Sequence, residues 1–307
     1  MTRGHELRLA KRMARLGTET AFEVLVKAKA LEAQGRDIIH LEIGEPDFDT
    51  PPNIIDAGCD ALHKGFTHYG PSAGLMELRE VIAQHVSETR RVNVTPDEVV
   101  VVPGGKPIIF FSILALAEDG DEIYSRLIFE GEDHSIMSVD GMKERTILLD
   151  GFSKTYAMTG WRMGYGVMRA DLAAHIARLM TNSASCTASF TQIAGIEALR
   201  GPQDLVDQVR VEFQKRRDVM VAGLNKIKGF SCRLPKGAFY VFPNITQTGW
   251  PSKKLADALL DDVGVAALSG TAFGDFGEGY LRFSVANSIE NIEKALDRIE
   301  TWTKKNL

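Results

Sequence analysis

Apolar residues in the first half of the chain follow two alternating spacings, one helical and one typical of strands. Within residues 73–89 they recur three or four positions apart, which places one set of side chains on one helical face: Leu75, Leu78, Val81, Ile82 and Val86. Residues 98–102 instead run Glu-Val-Val-Val-Val, which predicts a strand buried on both faces. Residues 145–152 and 161–168 are two further strand candidates.

The pattern changes after Ala170 to long helical segments followed by a few short strands. Helical periodicity extends over 186–201 and 203–227, and a closing helix is predicted over 287–306. Short apolar runs such as 280–286 predict strands between them. Strands that alternate with helices, followed by this mixed segment, predict an α/β fold: a three-layer α/β large domain with a smaller α+β domain.

Composition narrows the classes of partner. The chain has 307 residues and a formal net charge of −5, which gives no electrostatic reason to expect a nucleic acid or a membrane as partner. The three cysteines, Cys59, Cys186 and Cys232, form no pair and lie near no histidine at metal-ligand spacing. Reduced thiols are therefore predicted, with neither disulfides nor a metal site. The basic N-terminus has no continuous apolar run, which favours an amphipathic arm helix and a cytoplasmic protein.

A lysine and an arginine follow the strand candidate 145–152. Lys154 stands where side chains project from the carboxyl edge of a sheet, the edge at which α/β proteins bind ligands. Lysine forms Schiff bases with carbonyl cofactors, and a guanidinium such as that of Arg162 can hold a phosphate bidentately. A surface lysine at the end of a strand is the plainer alternative.

A glycine turn follows strand 98–102 and opens an apolar helix at Lys106. Free backbone N–H groups at such a helix start can bind phosphate, although a plain strand-to-helix turn accounts for the same residues. Neither a P-loop nor the glycine fingerprint of dinucleotide-binding folds is present in the chain.

Three further polar residues are candidates for chemistry. Asp121 and Tyr124 stand three positions apart, and an aspartate facing a pyridine nitrogen keeps that nitrogen protonated. Arg282 lies within the apolar run 280–286, where either an ion pair or the capture of a substrate carboxylate accounts for it.

Several segments together resemble the class I/II aminotransferases, the pyridoxal-phosphate-dependent enzymes of fold type I related to aspartate aminotransferase. Residues 151–166, GFSKTYAMTGWRMGYG, are close to the Schiff-base lysine signature of that family. Other family blocks appear in the same order: LEIGEPDFDTP, HYGPSAGLMELRE, VVVPGGKP, DEIYSRL, PKGAFYVF and GYLRFSVANSIENIEKAL. The resemblance extends from about residue 15 to the C-terminus, with one gap.

The resemblance implies a role for each candidate that handles the cofactor phosphate or the reacting amine. Lys154 would form the Schiff base with pyridoxal phosphate and move the proton during transfer. Gly105 and Lys106 would bind the phosphate through backbone N–H groups, and Arg162 through its guanidinium. Tyr69 would reach the phosphate of a neighbouring subunit, which implies a homodimer.

The resemblance also implies residues that contact the cofactor ring and the substrate. Asp121 would pair with the pyridine nitrogen, and Tyr124 with the phenolic oxygen. Gly44 would line the site of the substrate carboxylate, and Arg282 would bind the α-carboxylate.

One family block is missing from the chain. Family members carry a long segment before DEIY, with an aromatic residue that stacks on the cofactor and an NPxNPTG motif, and neither occurs here. We therefore expect a truncated sheet, with Asp121 following a loop instead of a buried strand. The strand at 146–152 would then be an apolar sheet edge unless residues 122–129 fold over it.

Three domain ranges are expected. Residues 1–40 form an N-terminal arm with part of the small domain, and residues 41–169 form the cofactor-binding large domain, shortened between about 118 and 122. Residues 170–307 form connecting helices and the small domain.

The expected function is transfer of an amino group from an amino acid to a 2-oxo acid through a lysine Schiff base, as part of amino acid metabolism. Two alternatives stay open from the sequence: a catalytically impaired relative without turnover, and a pyridoxal-phosphate-dependent lyase on the same fold.

Overall fold

The computed structural model describes residues 20–115, 120–121, 127–131 and 134–307, with 120–121 described by their backbone alone. The expected N-terminal arm helix and Tyr124 lie outside these residues. The helices are α1 (Thr20–Glu32), α2 (Pro52–His63), α3 (Met76–Arg90), α4 (Lys106–Ala115), α5 (Ala170–Ser183), α6 (Ser189–Arg200), α7 (Asp204–Leu224), α8 (Ser252–Val263) and α9 (Ile289–Asn306). The strands are β1 (Ile39–His40), β2 (Val99–Val102), β3 (Gly120–Asp121), β4 (Leu148–Gly151), β5 (Gly164–Val167), β6 (Tyr240–Val241), β7 (Val265–Ala266), β8 (Leu268–Ser269) and β9 (Leu281–Ser284).

The chain divides into two compact units. The central unit holds Glu45–Arg217 together with Pro235–Phe239. The terminal unit holds the described residues up to Gly44, then Asp218–Leu234 and Tyr240–Leu307. These limits differ from the domain ranges expected above, whose boundary near residue 170 falls inside the central unit, and those ranges stay a prediction.

The central unit is built on a sheet with the strand order β2-β5-β4-β3. Strand β5 runs antiparallel to both β2 and β4, and β3 runs parallel to β4. The strand candidates at 98–102, 161–168 and 145–152 thus lie side by side.

Apolar side chains leave strand β2 on both faces, because successive residues of a strand point to opposite sides. Val99 and Val101 pack into a core with residues of α3 and α6, whereas Val100 and Val102 pack with residues of α4 and α5. All four valines are at most 1% exposed. The sheet therefore lies between two helical layers, which confirms the predicted three-layer α/β architecture.

Strand β3 lies at the sheet edge beside the break in the chain. The Asp121 backbone lies in β3, opposite Leu149, and Gly120 is opposite Leu148. Residues 116–119, on which the expectation that Asp121 follows a loop depends, lie outside the described residues. The outer edge of β4 is thus paired over two residues. The residues that pair with it immediately precede the segment 122–129 that was expected to cover it.

Helix α4 is poorly covered by the described residues. Phe110, Ile113 and Leu114 share one side of the helix, and 60%, 61% and 59% of each residue is exposed. Part of a helix that flanks the sheet is thus exposed to water. No helix among the described residues is long and apolar enough to cross a membrane.

The terminal unit is a smaller mixture of helices and short strands. Strands β6, β9 and β8 form an antiparallel sheet in that order, and β1 pairs in parallel with β7. Helix α9 buries Ile292, Ile299 and Trp302, and the Trp302 indole donates a hydrogen bond to Asp262 at 2.7 Å. The predicted α+β character of the smaller part is confirmed.

Candidate active site

Two loops of the central unit leave the sheet at the same edge. Val102 at the end of β2 and Gly151 at the end of β4 are both opposite Gly164, the first residue of β5. The glycine turn 103–105 therefore starts level with the loop 152–163, which carries both Lys154 and Arg162. Sequence reasoning placed these residues at a sheet edge, and the strand register brings the two loops together there.

The glycine turn lies directly against β5. A Cβ on Gly164 would come within 2.8 Å of the Gly105 backbone nitrogen, so only glycine allows this approach. Gly104 has a φ of +78°, a left-handed conformation that favours glycine. Helix α4 begins at Lys106, so the N–H groups of its first turn directly follow the contact between Gly105 and Gly164.

The Arg162 guanidinium lies on the glycine turn. A Cβ on Gly104 would collide with its Nη2 atom, and Nη1 donates a hydrogen bond to the Thr159 carbonyl at 2.7 Å. Arg162 itself has a φ of +52°. A non-glycine residue in the left-handed region is strained, and such strain often marks a ligand-binding segment.

The loop that carries Lys154 is fixed by local hydrogen bonds. The Met158 N–H donates to the Ser153 carbonyl at 3.2 Å, and the Thr50 hydroxyl donates to the Ala157 carbonyl at 2.6 Å. The Lys154 Nζ lies 5.8 Å from the centroid of the Phe239 ring, and the residue is partly buried. The Lys154 amine thus lies near the Phe239 ring, just past the end of β4.

Beneath this loop lies a buried ion pair that the sequence analysis did not find. Arg90 Nη2 and Asp150 Oδ2 are 2.8 Å apart, and their side chains are 2% and 8% exposed. The second Asp150 oxygen accepts a hydrogen bond from the Gly151 N–H at 2.7 Å. Burial, and then the negative charge of Asp150, raise the pKa of Tyr165 well above its ordinary value. The pair ties the end of α3 to the strand that leads to Lys154.

Two other candidates occupy informative positions in the central unit. The Asp121 backbone lies in the strand next to β4, so it stands on the strand adjacent to the one that ends before Lys154. Tyr69 is 89% exposed, which leaves its ring available to another molecule. The phenol of Tyr124 lies outside the described residues.

The terminal unit holds the two candidates for binding of the substrate carboxylate. The Arg282 guanidinium lies 4.3 Å from the centroid of the Tyr240 ring and 5.0 Å from that of Phe273. Its Nη2 donates a hydrogen bond to the Glu42 carbonyl at 2.6 Å. A Cβ on Gly44 would overlap the Tyr240 hydroxyl, so glycine is required there. Within this unit, the Tyr240 side chain thus contacts both Gly44 and Arg282.

Tyr240 is a site residue that sequence reasoning missed. It belongs to the segment PKGAFYVF, which was recognised as a family block without a role for any of its members. The tight contact with Gly44 depends on folding between residues far apart in the chain, so no local pattern shows it.

The central groups suit a phosphate ester. A guanidinium, the first turn of a helix and two glycines that allow close approach are the elements that bind phosphate. Lys154 supplies a primary amine on the next loop of the same edge. These residues therefore fit pyridoxal phosphate at its phosphate and its aldehyde.

The family model for class I and II aminotransferases matches residues 36–126 and 120–299. The two matched segments overlap at 120–126, so the match is broken at the place where the sequence lacks a family block. A (5-formylfuran-3-yl)methyl phosphate transaminase of Methanocaldococcus jannaschii is 30% identical, covering 97% of this chain and 100% of that protein. The alignment extends over 373 positions, more than the 307 residues of this chain, so the relative carries residues that are absent here.

Other known proteins give the same result. The aspartate aminotransferase of Pyrococcus abyssi is 32% identical over 86% of this chain and 91% of its own length. Among solved structures, the aspartate aminotransferase of Rhizobium meliloti superposes with a TM-score of 0.91 at 26% identity, covering 97% of this chain and 99% of that one.

Proposed function

Because this chain belongs to the class I and II aminotransferases, we propose that Lys154, Arg162 and Arg282 are the residues that serve its reaction. The protein is a pyridoxal-phosphate-dependent enzyme that transfers an amino group between an amino acid and a 2-oxo acid. The observation that carries the assignment is the meeting of the Lys154 loop, the glycine turn and Arg162 at one edge of the central sheet.

The phosphate of the cofactor is bound in the central unit. Gly105 and Lys106 offer backbone N–H groups at the start of α4, and Arg162 adds a positive charge beside them. Pro107 has no N–H, so the donors of this turn are concentrated in the residues before it. When bound, pyridoxal phosphate supplies an aldehyde that takes up amino groups and a ring that withdraws electrons from the substrate.

Lys154 is the amine that holds the cofactor and the base that moves the proton at the substrate Cα. Its loop is held by the hydrogen bonds to Thr50 and within 153–158, which fix the amine at the end of β4. A base that is positioned before reaction loses little freedom in the reaction. By the family resemblance, Asp121, whose backbone lies on the strand beside β4, would pair with the ring nitrogen, and Tyr124 would donate to the ring oxygen.

Arg282 binds the α-carboxylate of the substrate. Its guanidinium lies over the rings of Tyr240 and Phe273 and donates to the Glu42 carbonyl, so it is oriented before a carboxylate arrives. Gly44 allows the chain to approach the Tyr240 hydroxyl closely, and Tyr240 in turn lies under the Arg282 guanidinium. Aspartate and aromatic amino acids are the substrates to examine first, because relatives of this chain are named for them.

The enzyme is a cytoplasmic homodimer in this proposal. The exposed ring of Tyr69 supports the assembly, because it is available to reach the phosphate held by a second copy. The scattered cysteines are described as free thiols, which is consistent with a reducing compartment. The lyase and impaired-relative alternatives gain no support from the comparisons, whose named relatives are aminotransferases.

The proposal is tested with the cofactor-loaded protein and a panel of amino acids. We expect one equivalent of 2-oxo acid per enzyme without an acceptor, and continuous formation once an acceptor 2-oxo acid is added. Lys154→Ala should abolish both, and Lys215→Ala, which removes an exposed lysine of the same unit, should change neither. Release of ammonia in place of transfer to the acceptor would instead identify a lyase.

A further inference from the structure

Residues 40–42 of the terminal unit carry an arrangement of charges that the proposed reaction does not explain. The His40 ring lies between two carboxylates: its Nδ1 atom is 2.7 Å from Glu42 Oε1, and its Nε2 atom is 3.0 Å from Glu32 Oε1. An imidazole with an acceptor at each nitrogen is most stable when both nitrogens carry a proton. His40 thus stands as a cation between two anions.

The buried carboxylate of Glu42 needs the positive charge of His40. Its side chain is 0% exposed, and among the described residues its Oε2 atom has no hydrogen-bond partner. A buried carboxylate is strongly destabilising unless a positive charge compensates it. The protonated ring of His40, in contact with Oε1, supplies that charge.

The backbone of the same residues holds Arg282. The Leu41 carbonyl accepts a hydrogen bond from the Ser284 N–H at 2.6 Å, and the His40 carbonyl accepts one from Asn287 Nδ2 at 3.0 Å. The next carbonyl, that of Glu42, accepts the hydrogen bond from Arg282 Nη2 at 2.6 Å. The side chain of Glu42 is therefore bound to His40 while its carbonyl orients the arginine.

We propose that His40 and Glu42 are positioning residues for Arg282, and that the protonated His40 ring keeps the Glu42 carbonyl where it orients the guanidinium toward a carboxylate. The inference rests on the proposed role of Arg282 as the carboxylate-binding residue. It adds that affinity for the carboxylate depends on a histidine that itself touches no substrate.

Carboxylate binding by Arg282 should therefore depend on pH. The hydrogen bond to Glu42 is the main reason that the pKa of His40 is raised above its ordinary value of 6.5, with burial acting in the opposite direction. Around His40, α1 contributes Glu32, which is also paired with Lys29 at 2.8 Å. Strand β7 contributes no titratable side chain, and the segment just before α9 contributes the uncharged Asn287. Loss of the His40 proton leaves the Glu42 carboxylate buried without its counter-charge, so the segment shifts and Arg282 loses its carbonyl partner.

The test measures dissociation constants for two unreactive carboxylates, succinate and 3-phenylpropionate, on the cofactor-loaded protein across the titration of His40. For the unaltered protein we expect the dissociation constant to rise about tenfold as His40 loses its proton, the effect of one charged hydrogen bond. Glu42→Gln removes the buried charge and keeps an acceptor for the ring, so its dissociation constant should stay low across the series. His40→Gln should bind as weakly at low pH as the unaltered protein does at high pH.

Controls separate positioning from general stability. Asp37→Asn weakens the exposed ion pairs with Lys294 and Arg298 in the same unit and should leave both dissociation constants and their pH profile unchanged. Cofactor affinity should be the same in every variant. If Glu42→Gln shows the pH profile of the unaltered protein, the inference is wrong, even if His40→Gln does not fold. If Arg282→Lys binds both carboxylates normally, the proposed role of Arg282 is what fails.

Discussion

The two units of this chain differ in how completely their helices are covered. In the terminal unit, α9 leaves at most 4% of Ile292, Ile299 and Trp302 exposed. In the central unit, α4 leaves more than half of Ile113 and its two apolar neighbours exposed, and the family match breaks soon after this helix ends. Exposed apolar surface is therefore concentrated on α4, close to the break in the family match.

The edge of the central unit that carries Lys154 and Arg162 is, by contrast, fully formed among the described residues. Strands β2, β5 and β4 are paired over their full four-residue lengths, and the contacts of Arg162 and Gly164 come from these strands and their loops. None of these contacts depends on the block that the relatives carry. A shortened α/β domain can thus keep the sheet edge proposed to bind phosphate while one flanking helix stays exposed.

The largest change in stability is expected at the buried pair of the central unit. Arg90→Ala leaves Asp150 charged and buried, which destabilises folding by about 3–5 kcal/mol. Chemical denaturation measures this loss. Arg200→Ala is the matched control, because its ion pair with Glu77 is exposed, and it should change stability by less than about 1 kcal/mol. Equal effects of the two substitutions would contradict the burial argument.

The next prediction compares the two helices through one chemical change. Ile299→Ala in α9 opens a cavity in the terminal unit and should reduce stability by about 2–4 kcal/mol. Ile113→Ala in α4 removes a side chain that is mostly in water and should alter stability by no more than about 0.5 kcal/mol. A large loss for Ile113→Ala would mean that α4 is covered after all.

A smaller effect is expected from pH, and only in the terminal unit. Because the pKa of His40 is raised on folding, its contribution to stability is fully present below about pH 6.5 and is lost as the pH rises through the raised value. Hydrogen exchange at β1 should therefore quicken with pH more than the intrinsic rate does, whereas β2 should follow the intrinsic rate. His40→Gln should remove the difference.

The smallest effect on stability is expected from changing the exposed side of α4. The triple substitution Phe110→Gln, Ile113→Gln and Leu114→Gln replaces apolar surface without filling or opening a core. Because exposed apolar patches promote association, the variant should show less self-association by light scattering at nearly constant stability. Unchanged association would show that this surface does not promote self-association.

Sequence reasoning succeeded where a pattern is local. The strands that flank Lys154 and Arg162 were predicted from one continuous motif and its flanking apolar runs. It failed where contacts join distant residues: Arg90 meets Asp150 across 60 positions, and the Glu42 carbonyl meets Arg282 across 240. The pairing of Asp121 in β3 was missed for a different reason, because a two-residue strand has no periodicity to detect.

The central claim is that Lys154 is the cofactor-bearing amine in spite of the break in the central unit. Reduction of the cofactor-loaded protein with borohydride, followed by peptide mapping, tests it most directly. The account predicts a covalent cofactor label on the peptide that contains GFSKTY, none on any peptide of Lys154→Ala, and unchanged labelling in Lys215→Ala. A label on another lysine, with Lys154 unmodified, would contradict it.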